Sequence, residues 1–342
     1  MGNMWRRIFR DRKAPASATR VRPGVVVPAR SPPAATFAPP AMPLEEVEQR
    51  FHRFVFGLPD SDASEPSATE LATLKRLELL SKRFDIRSLP RLPMVLPQLL
   101  RTLKSDRAAG GQLAKLIGRD PQMVGEIMRV TGSVYYRAAQ PINSLQQAVV
   151  VLGQEGLRRV LARYVMKPIL QVNAGAFGNA AGELLWNHAE RCAHACAWLG
   201  KTTGCDAFEA YLAGIIRHTG TGAVVRLLAP LTPTDATPPS SGFLAGCAGL
   251  AARLSLQAAL HWELPPRVIE ALRQDPADRS ASALGNALSV ADHLAMAQLL
   301  GEYDRVAKDL DLGSGWPALF APPLVLRCQQ ELRRTFPMHE GT

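Results

Sequence analysis

An all-α, multi-helix fold is predicted for this chain on three observations. Apolar residues recur three or four positions apart in one segment after another. Helix-opening signals stand before several of those segments: Ser67 with Glu70, Asp120 before Pro121, and Asp206 with Glu209. Breaks such as Gly57, Pro59 and the run DSDASEPS separate them. The 342 residues are enough for one large core or two modest ones.

Residues 1–43 hold eight Arg or Lys, from Arg6 to Arg30, against Asp11 alone, and so carry +7 of the chain's formal +10. They are rich in Pro and Ala and have too little apolar surface to order themselves. They read as a disordered basic arm. Trp5, Ile8, Phe9 and Arg12 stand at helical spacing within it, which would suit weak contact with an anionic surface or nucleic acid. Residues 44–88 form a helical extension: Leu44, Val47, Phe51, Phe54 and Val55 repeat helically, and Ser67 opens a second helix through Leu71, Leu74, Leu77 and Leu80. The main domain spans 89–284, with helices over Leu89–Leu103, Gly111–Ile117, Pro121–Thr131, Ser144–Leu152 and Glu155–Leu170. Pro230–Gly242 reads as a mobile connection, Gly246–Leu264 and Pro266–Gln274 as helices. Residues 285–342 complete the domain, with a long helix over Ala283–Glu302 and a last one over Leu324–Phe336 after the GSGWP turn.

The composition excludes several classes. No stretch approaches about 18 uninterrupted apolar residues, so no transmembrane segment is expected. The basic start is followed by Pro and Ala where a secretory signal needs an apolar core. Five cysteines without framework spacing suggest a reducing compartment, and the expected location is cytoplasmic. No P-loop, nucleophile-elbow or kinase signature is present.

The densest chemistry lies in Leu184–Gly222. Leu185, His188, Ala189, Cys192, Cys196 and Leu199 share one mostly apolar helix face, and Gly200 and Gly204 are expected to stop that helix. A second helix opens at Asp206 and delivers Arg217, His218, Thr219 and Gly220 at its far end. The run AYLAGIIRHTG resembles the AxLAGLLHDIG segment of HD-superfamily helical domains, and LLWNHAERCAHACAWL resembles the helix before it. Upstream, LPRLPMVLPQLLRTL, DPQMVGEIMRVTGSVYY and PINSLQQAVVVLGQEGLRRV resemble, in order, the regulatory branch called HDOD, the HD-related output domain. HWELPPRVIEAL and LSVADHLA resemble its downstream elements.

A working HD hydrolase uses a His from one helix, a His-Asp doublet ending another and a distant Asp, which together hold a divalent ion that activates water. Carried over by resemblance, the first His is His188 and the last Asp is Asp292. The doublet fails: Arg217 stands at its His and His218 at its Asp. A guanidinium stays protonated and cannot ligate a dication. The later histidine pair of related phosphodiesterases is replaced by Arg273, Gln274 and Asp275. The resemblance therefore implies a non-catalytic bacterial signal-transduction output or scaffold protein with a degenerate HD site. It would act through protein partners, with no cofactor, no catalytic residue and no metal.

Two alternatives come from other classes. A metal-dependent phosphohydrolase with an atypical site would use His188, His218 and Asp292. A helix-turn-helix regulator would use Gln112–Arg129, where Ala114, Gly118, Val124 and Ile127 fit that motif's small, turn and core positions, though Gln122, Glu126 and Arg129 read bases and phosphates poorly. A zinc site from His188, Cys192 and Cys196 is disfavoured, because in-line ligands spread over about two helical turns.

Overall fold

Residues Ala283–Glu302 are apolar on nearly every side, and a helix without a polar face has to be surrounded. In the structure, a computed structural model, Leu284 to Gly301 are almost all buried. The described residues are 42–58, 63–83, 114–115, 117–118, 120–132, 142, 144–171, 178–229, 231, 239–273, 282–308, 310, 312, 316–317 and 319–337. Eleven helices and no strand occur among them. They are α1 (Leu44–Val55), α2 (Ala68–Arg83), α3 (Pro121–Thr131), α4 (Leu145–Leu170), α5 (Gly178–Thr202) and α6 (Ala207–Ile216). Then follow α7 (Thr219–Leu228), α8 (Ser241–His261), α9 (Pro266–Arg273), α10 (Ala283–Glu302) and α11 (Pro322–Thr335). All belong to one unit, Pro40–Thr342. The basic arm, the Leu89–Leu103 helix, most of the 230–242 connection, Gln274 and Asp275, and most of the GSGWP turn lie outside the described residues.

Helix α5 packs along α6 and α10, and α7 lies on α8. Helix α1 crosses α10, α8 and α5, so the extension joins the same core. The caps expected from the sequence are formed. Ser67 N–H donates to Glu70 Oε2 at 2.7 Å, and Glu70 N–H donates to Ser67 Oγ at 3.2 Å, closing a reciprocal box. Glu70 also accepts from the Ser240 backbone N–H at 2.7 Å and from its hydroxyl at 3.0 Å, which ties α2 to the start of α8. Asp120 accepts from Gln122 N–H and Met123 N–H, and Asp206 accepts from Phe208 N–H and Glu209 N–H.

The two helices expected over Ser144–Leu152 and Glu155–Leu170 are present within α4, meeting at a kink at Gly153, whose φ of 62° lies in the left-handed region that costs glycine little. Other helix ends differ from expectation, each for a local reason. Helix α5 continues through Gly200 and ends at Thr202, the chain turning at Gly204, φ +73°. Gly200 serves packing, since a Cβ there would stand 2.8 Å from Ala210 Cβ. Helix α8 begins at Ser241, five residues earlier than Gly246, because Ser240 Oγ accepts from Phe243 N–H. It is also the one helix among the described residues long and apolar enough by composition to cross a membrane. Phe243, Leu244, Cys247, Leu250 and Leu254 are buried within the unit.

Candidate functional site

Close packing brings the site's parts together. Helices α5 and α6 approach so tightly that a Cβ on Gly214 would lie 2.6 Å from Ala193 Cα. At the end of α6 the chain turns through Arg217 and His218 into α7. That turn is pinned by Ser255 of α8, whose Oγ accepts from Gly220 N–H at 2.8 Å and donates to Arg217 O at 2.9 Å. Gly220 has no room for a side chain: a Cβ would sit 1.9 Å from Ala251 O.

The four positions singled out in the sequence meet. Asp292, in the middle of α10 and 1% exposed, is the centre. Its Oδ1 lies 3.1 Å from His188 Nε2 and 2.9 Å from His218 Nε2, and its Oδ2 accepts from Arg217 Nε at 2.9 Å. Burial by itself would raise the Asp292 pKa, but the pull of His218, Arg217 and His188 outweighs it and holds the carboxyl well below the usual range. Burial, joined by the charges of His188 and Arg217, pushes His218 down to about 4 against the attraction of Asp292. At neutral pH His218 is therefore an uncharged imidazole. Since a carboxylate only accepts, the His218 proton sits on Nε2, and Nδ1 accepts from the Thr221 hydroxyl at 3.0 Å.

The ligand atoms of His188, His218 and Asp292 lie within 4.8 Å of one another, close enough to share a cation. Three features of the arrangement oppose a divalent ion. The Arg217 guanidinium already supplies the positive charge at Asp292. His218 Nε2 carries the proton it gives to the carboxylate, and His188 Nε2 shares a contact with the Asp292 backbone carbonyl at 3.4 Å, so a metal would have to displace both. A ligating imidazole normally gives its other N–H to a neighbour, whereas His188 Nδ1 is buried with no partner among the described residues.

Sequence reasoning did not anticipate what covers this cluster. Phe51 of α1, fully buried, sets its ring 4.6 Å from the His188 ring and 5.4 Å from the His218 ring. His52 lies 6.3 Å from His218, and Glu48 pairs with His293 of α10 at 3.0 Å. In the sequence Phe51 is one more aromatic at a core spacing; nothing local tells which distant surface it closes. Cys192 and Cys196 are buried, and burial raises both thiols well above their ordinary range, as expected for packing side chains. In the stretch weighed as a helix-turn-helix, Ile127 and Met123 are buried, and the polar face is occupied internally: Arg129 pairs with Glu126 at 2.6 Å, and Tyr164 donates to Gln122 at 3.4 Å.

The HDOD domain family model matches residues 89–236. An uncharacterized protein of Treponema pallidum (strain Nichols) is 24% identical over 211 residues, covering 59% of this chain. The chain spans only 40% of that relative's length. Among solved structures, a candidate metal-dependent phosphohydrolase from Shewanella amazonensis SB2B superposes with a TM-score of 0.53 at 17% identity, covering 79% of this chain and 99% of its own. An HDOD domain protein with unknown function from Geobacter sulfurreducens gives 0.51 at 18%, covering 78% and 89%. A candidate signal transduction protein from Marinobacter aquaeolei VT8 gives 0.50 at 19%, covering 85% and 63%. At such identities these likenesses establish the all-α fold.

Proposed function

Because the chain carries an HDOD domain, we propose that it is a cytoplasmic, non-catalytic signal-transduction output protein acting through protein partners. One observation carries this reading: the position a hydrolase gives to a metal ligand holds Arg217, bonded to Asp292 Oδ2 at 2.9 Å. The guanidinium is the cation of this site. It neutralises the buried carboxylate permanently, where a metal would leave an open position for water. Phe51 supports the same reading, since a substrate phosphate would need the space its ring fills against both histidines. On this reading His188, Arg217, His218 and Asp292 form a structural cluster inherited in outline from a catalytic one. The basic arm adds weak, salt-sensitive attraction to anionic surfaces.

The alternative of a metal-dependent phosphohydrolase rests on the closeness of three ligand atoms. Elemental analysis of the purified chain, together with hydrolysis assays on cyclic dinucleotides and simple phosphodiesters, separates the two. We expect no stoichiometric divalent ion and no turnover. Near-stoichiometric metal lost on both His188→Ala and Asp292→Ala, accompanied by hydrolysis, would establish the alternative.

A further inference from the structure

A second concavity lies on the far side of α5. Residues Glu190 and His194 fall about half a helical turn out of phase with His188 and Cys192, and so face away from the Asp292 cluster. There they help to line a cavity of about 240 Å³ where α3 and α4 meet α5, α6 and the end of α11. Three arginines, Arg129, Arg159 and Arg163, reach it beside Tyr211 and Phe336.

Two of these arginines are laid on aromatic rings. The Arg159 guanidinium stands 5.6 Å from the centre of Tyr211, and that of Arg163 stands 5.6 Å from Trp186. Such stacking fixes a guanidinium in place while leaving edge N–H groups to donate. Arg159 spends its Nε and Nη2 on Glu155. Arg163 has Nη1 on Glu190 at 2.5 Å. Its buried Nε lies 3.5 Å from Glu126 Oε1, near enough for charge attraction, but has no hydrogen-bond partner among the described residues. His194 is held neutral here, burial and the nearby Arg159 charge having pushed it down to about 4, and its ring meets Phe336 edge-on at 5.8 Å. The lining thus sets three guanidinium groups, each paired with a carboxylate of Glu126, Glu155 or Glu190, beside Val130, Val160 and the two rings.

We propose that this cavity binds a small aromatic anion, its carboxylate or phosphate on Arg159 and Arg163 and its ring against Tyr211 and Phe336. The volume limits the buried part to a ring and its anionic group, below the usual range for drug-sized ligands of about 300 Å³ and upwards. Guanidinium forks suit a carboxylate or phosphate better than a halide, because they offer parallel N–H donors to a planar or tetrahedral oxyanion. Occupancy would bridge α4 to α6 and the end of α11, so the ligand bears on how those helices pack. The site shares no side chain with the Asp292 cluster and is tested independently of it.

The experiment is calorimetric titration of the full chain with phenyl phosphate, inorganic phosphate and phenol in turn. Phenyl phosphate should bind saturably and at least about ten-fold more tightly than either fragment, since it alone engages both the arginines and the rings. Arg163→Gln and Arg159→Gln should each weaken it by about ten-fold or more, the loss expected when a charge-assisted bond is removed. Arg253→Gln, a change on an exposed pair with Glu78, should leave binding intact. Thr335→Trp, at the rim on the last turn of α11, should block the cavity while the ligand-free melting temperature stays that of the parent chain. Absence of saturable phenyl phosphate binding would overturn the proposal. So would equal affinity for inorganic phosphate, or binding that survives both arginine changes and Thr335→Trp.

Discussion

Asp292→Ala removes a carboxylate on which three side chains depend. In the native protein it accepts from His218 and Arg217 at 2.9 Å and lies 3.1 Å from His188 Nε2, while 1% exposed. Had it been an ordinary buried acceptor, its loss would cost about 1–3 kcal/mol. Arg217 raises that figure, because its side chain is only 16% exposed and its guanidinium would be left without the charge it faces. Breaking one side of a buried ion pair costs about 3–5 kcal/mol, out of a total stability on the order of 5–15 kcal/mol. At about 2–4 °C per kcal/mol for a domain of this size, the melting temperature should fall by about 6–20 °C. Asp292→Asn keeps the shape and one acceptor for the histidines but still strips Arg217 of its counter-charge, and should fall between parent and alanine. Urea unfolding at pH 7, followed by circular dichroism, measures all three. A loss under about 1 kcal/mol for the alanine variant would refute the argument, since it would mean that solvent or another group already satisfies Arg217.

Acid should destabilise the protein well before its carboxylates titrate. His52, His194 and His218 all have folded pKa values lowered, the last two to about 4, so between about pH 6.5 and 4 the unfolded chain takes up protons that the folded one refuses. His194 and His218 each contribute a loss of about 1 kcal/mol per pH unit in that window, and His52 acts in the same direction. His293, raised beside Glu48, works in the opposite sense: its contribution is complete below about pH 6.5 and disappears as pH rises through its folded value. Three against one gives a net decline, and urea midpoints that stay level from pH 7 to pH 5 would contradict it. The asymmetry of two glycines is a second check. Gly220→Ala drives a Cβ into Ala251 O at 1.9 Å and should cost more than about 2 kcal/mol, whereas Gly249→Ala, with nothing nearer than 3.8 Å, should gain about 0.5–1 kcal/mol from helix propensity. Matching thermal shifts for the two would argue against the packing described. Glu70→Ala, which removes acceptors for both Ser67 and Ser240, should cost about 1–3 kcal/mol; a neutral result in the same melts would show that the clasp between α2 and α8 is slack.

Much of this was legible in the sequence because it is local. The spans Leu44–Val55 and Ala283–Glu302, the Ser67 box, and the Asp120 and Asp206 caps are written in neighbouring residues, and each is formed. His188, Arg217, His218 and Asp292 were found through their likeness to a known pattern, which encodes distance that spacing alone does not. What escaped is non-local and chemically plain. Ser255 sits in an apolar stretch of α8 and looks like filler, yet it bonds both Arg217 O and Gly220 N–H. Gly200 read as a stop because its meaning lies in Ala210, ten residues on and in another helix. The arginines around Tyr211 and Trp186 are separated in sequence from the rings they lie on, so no window along the chain collects them.

The family match ends at residue 236, and Asp292 lies beyond it, while Phe51 lies before its beginning. Ancestry and architecture therefore draw different borders on this chain. A fragment trimmed to 89–236 would keep His188, Arg217 and His218 and discard the carboxylate that reconciles them, leaving a guanidinium and two imidazoles crowded together on an open apolar surface. Such a piece would be expected to aggregate or to recruit any available anion, and its properties would say little about the parent molecule. Deletion studies here should keep both flanks, and partner screens run with the trimmed segment would report on an injury the intact protein does not have.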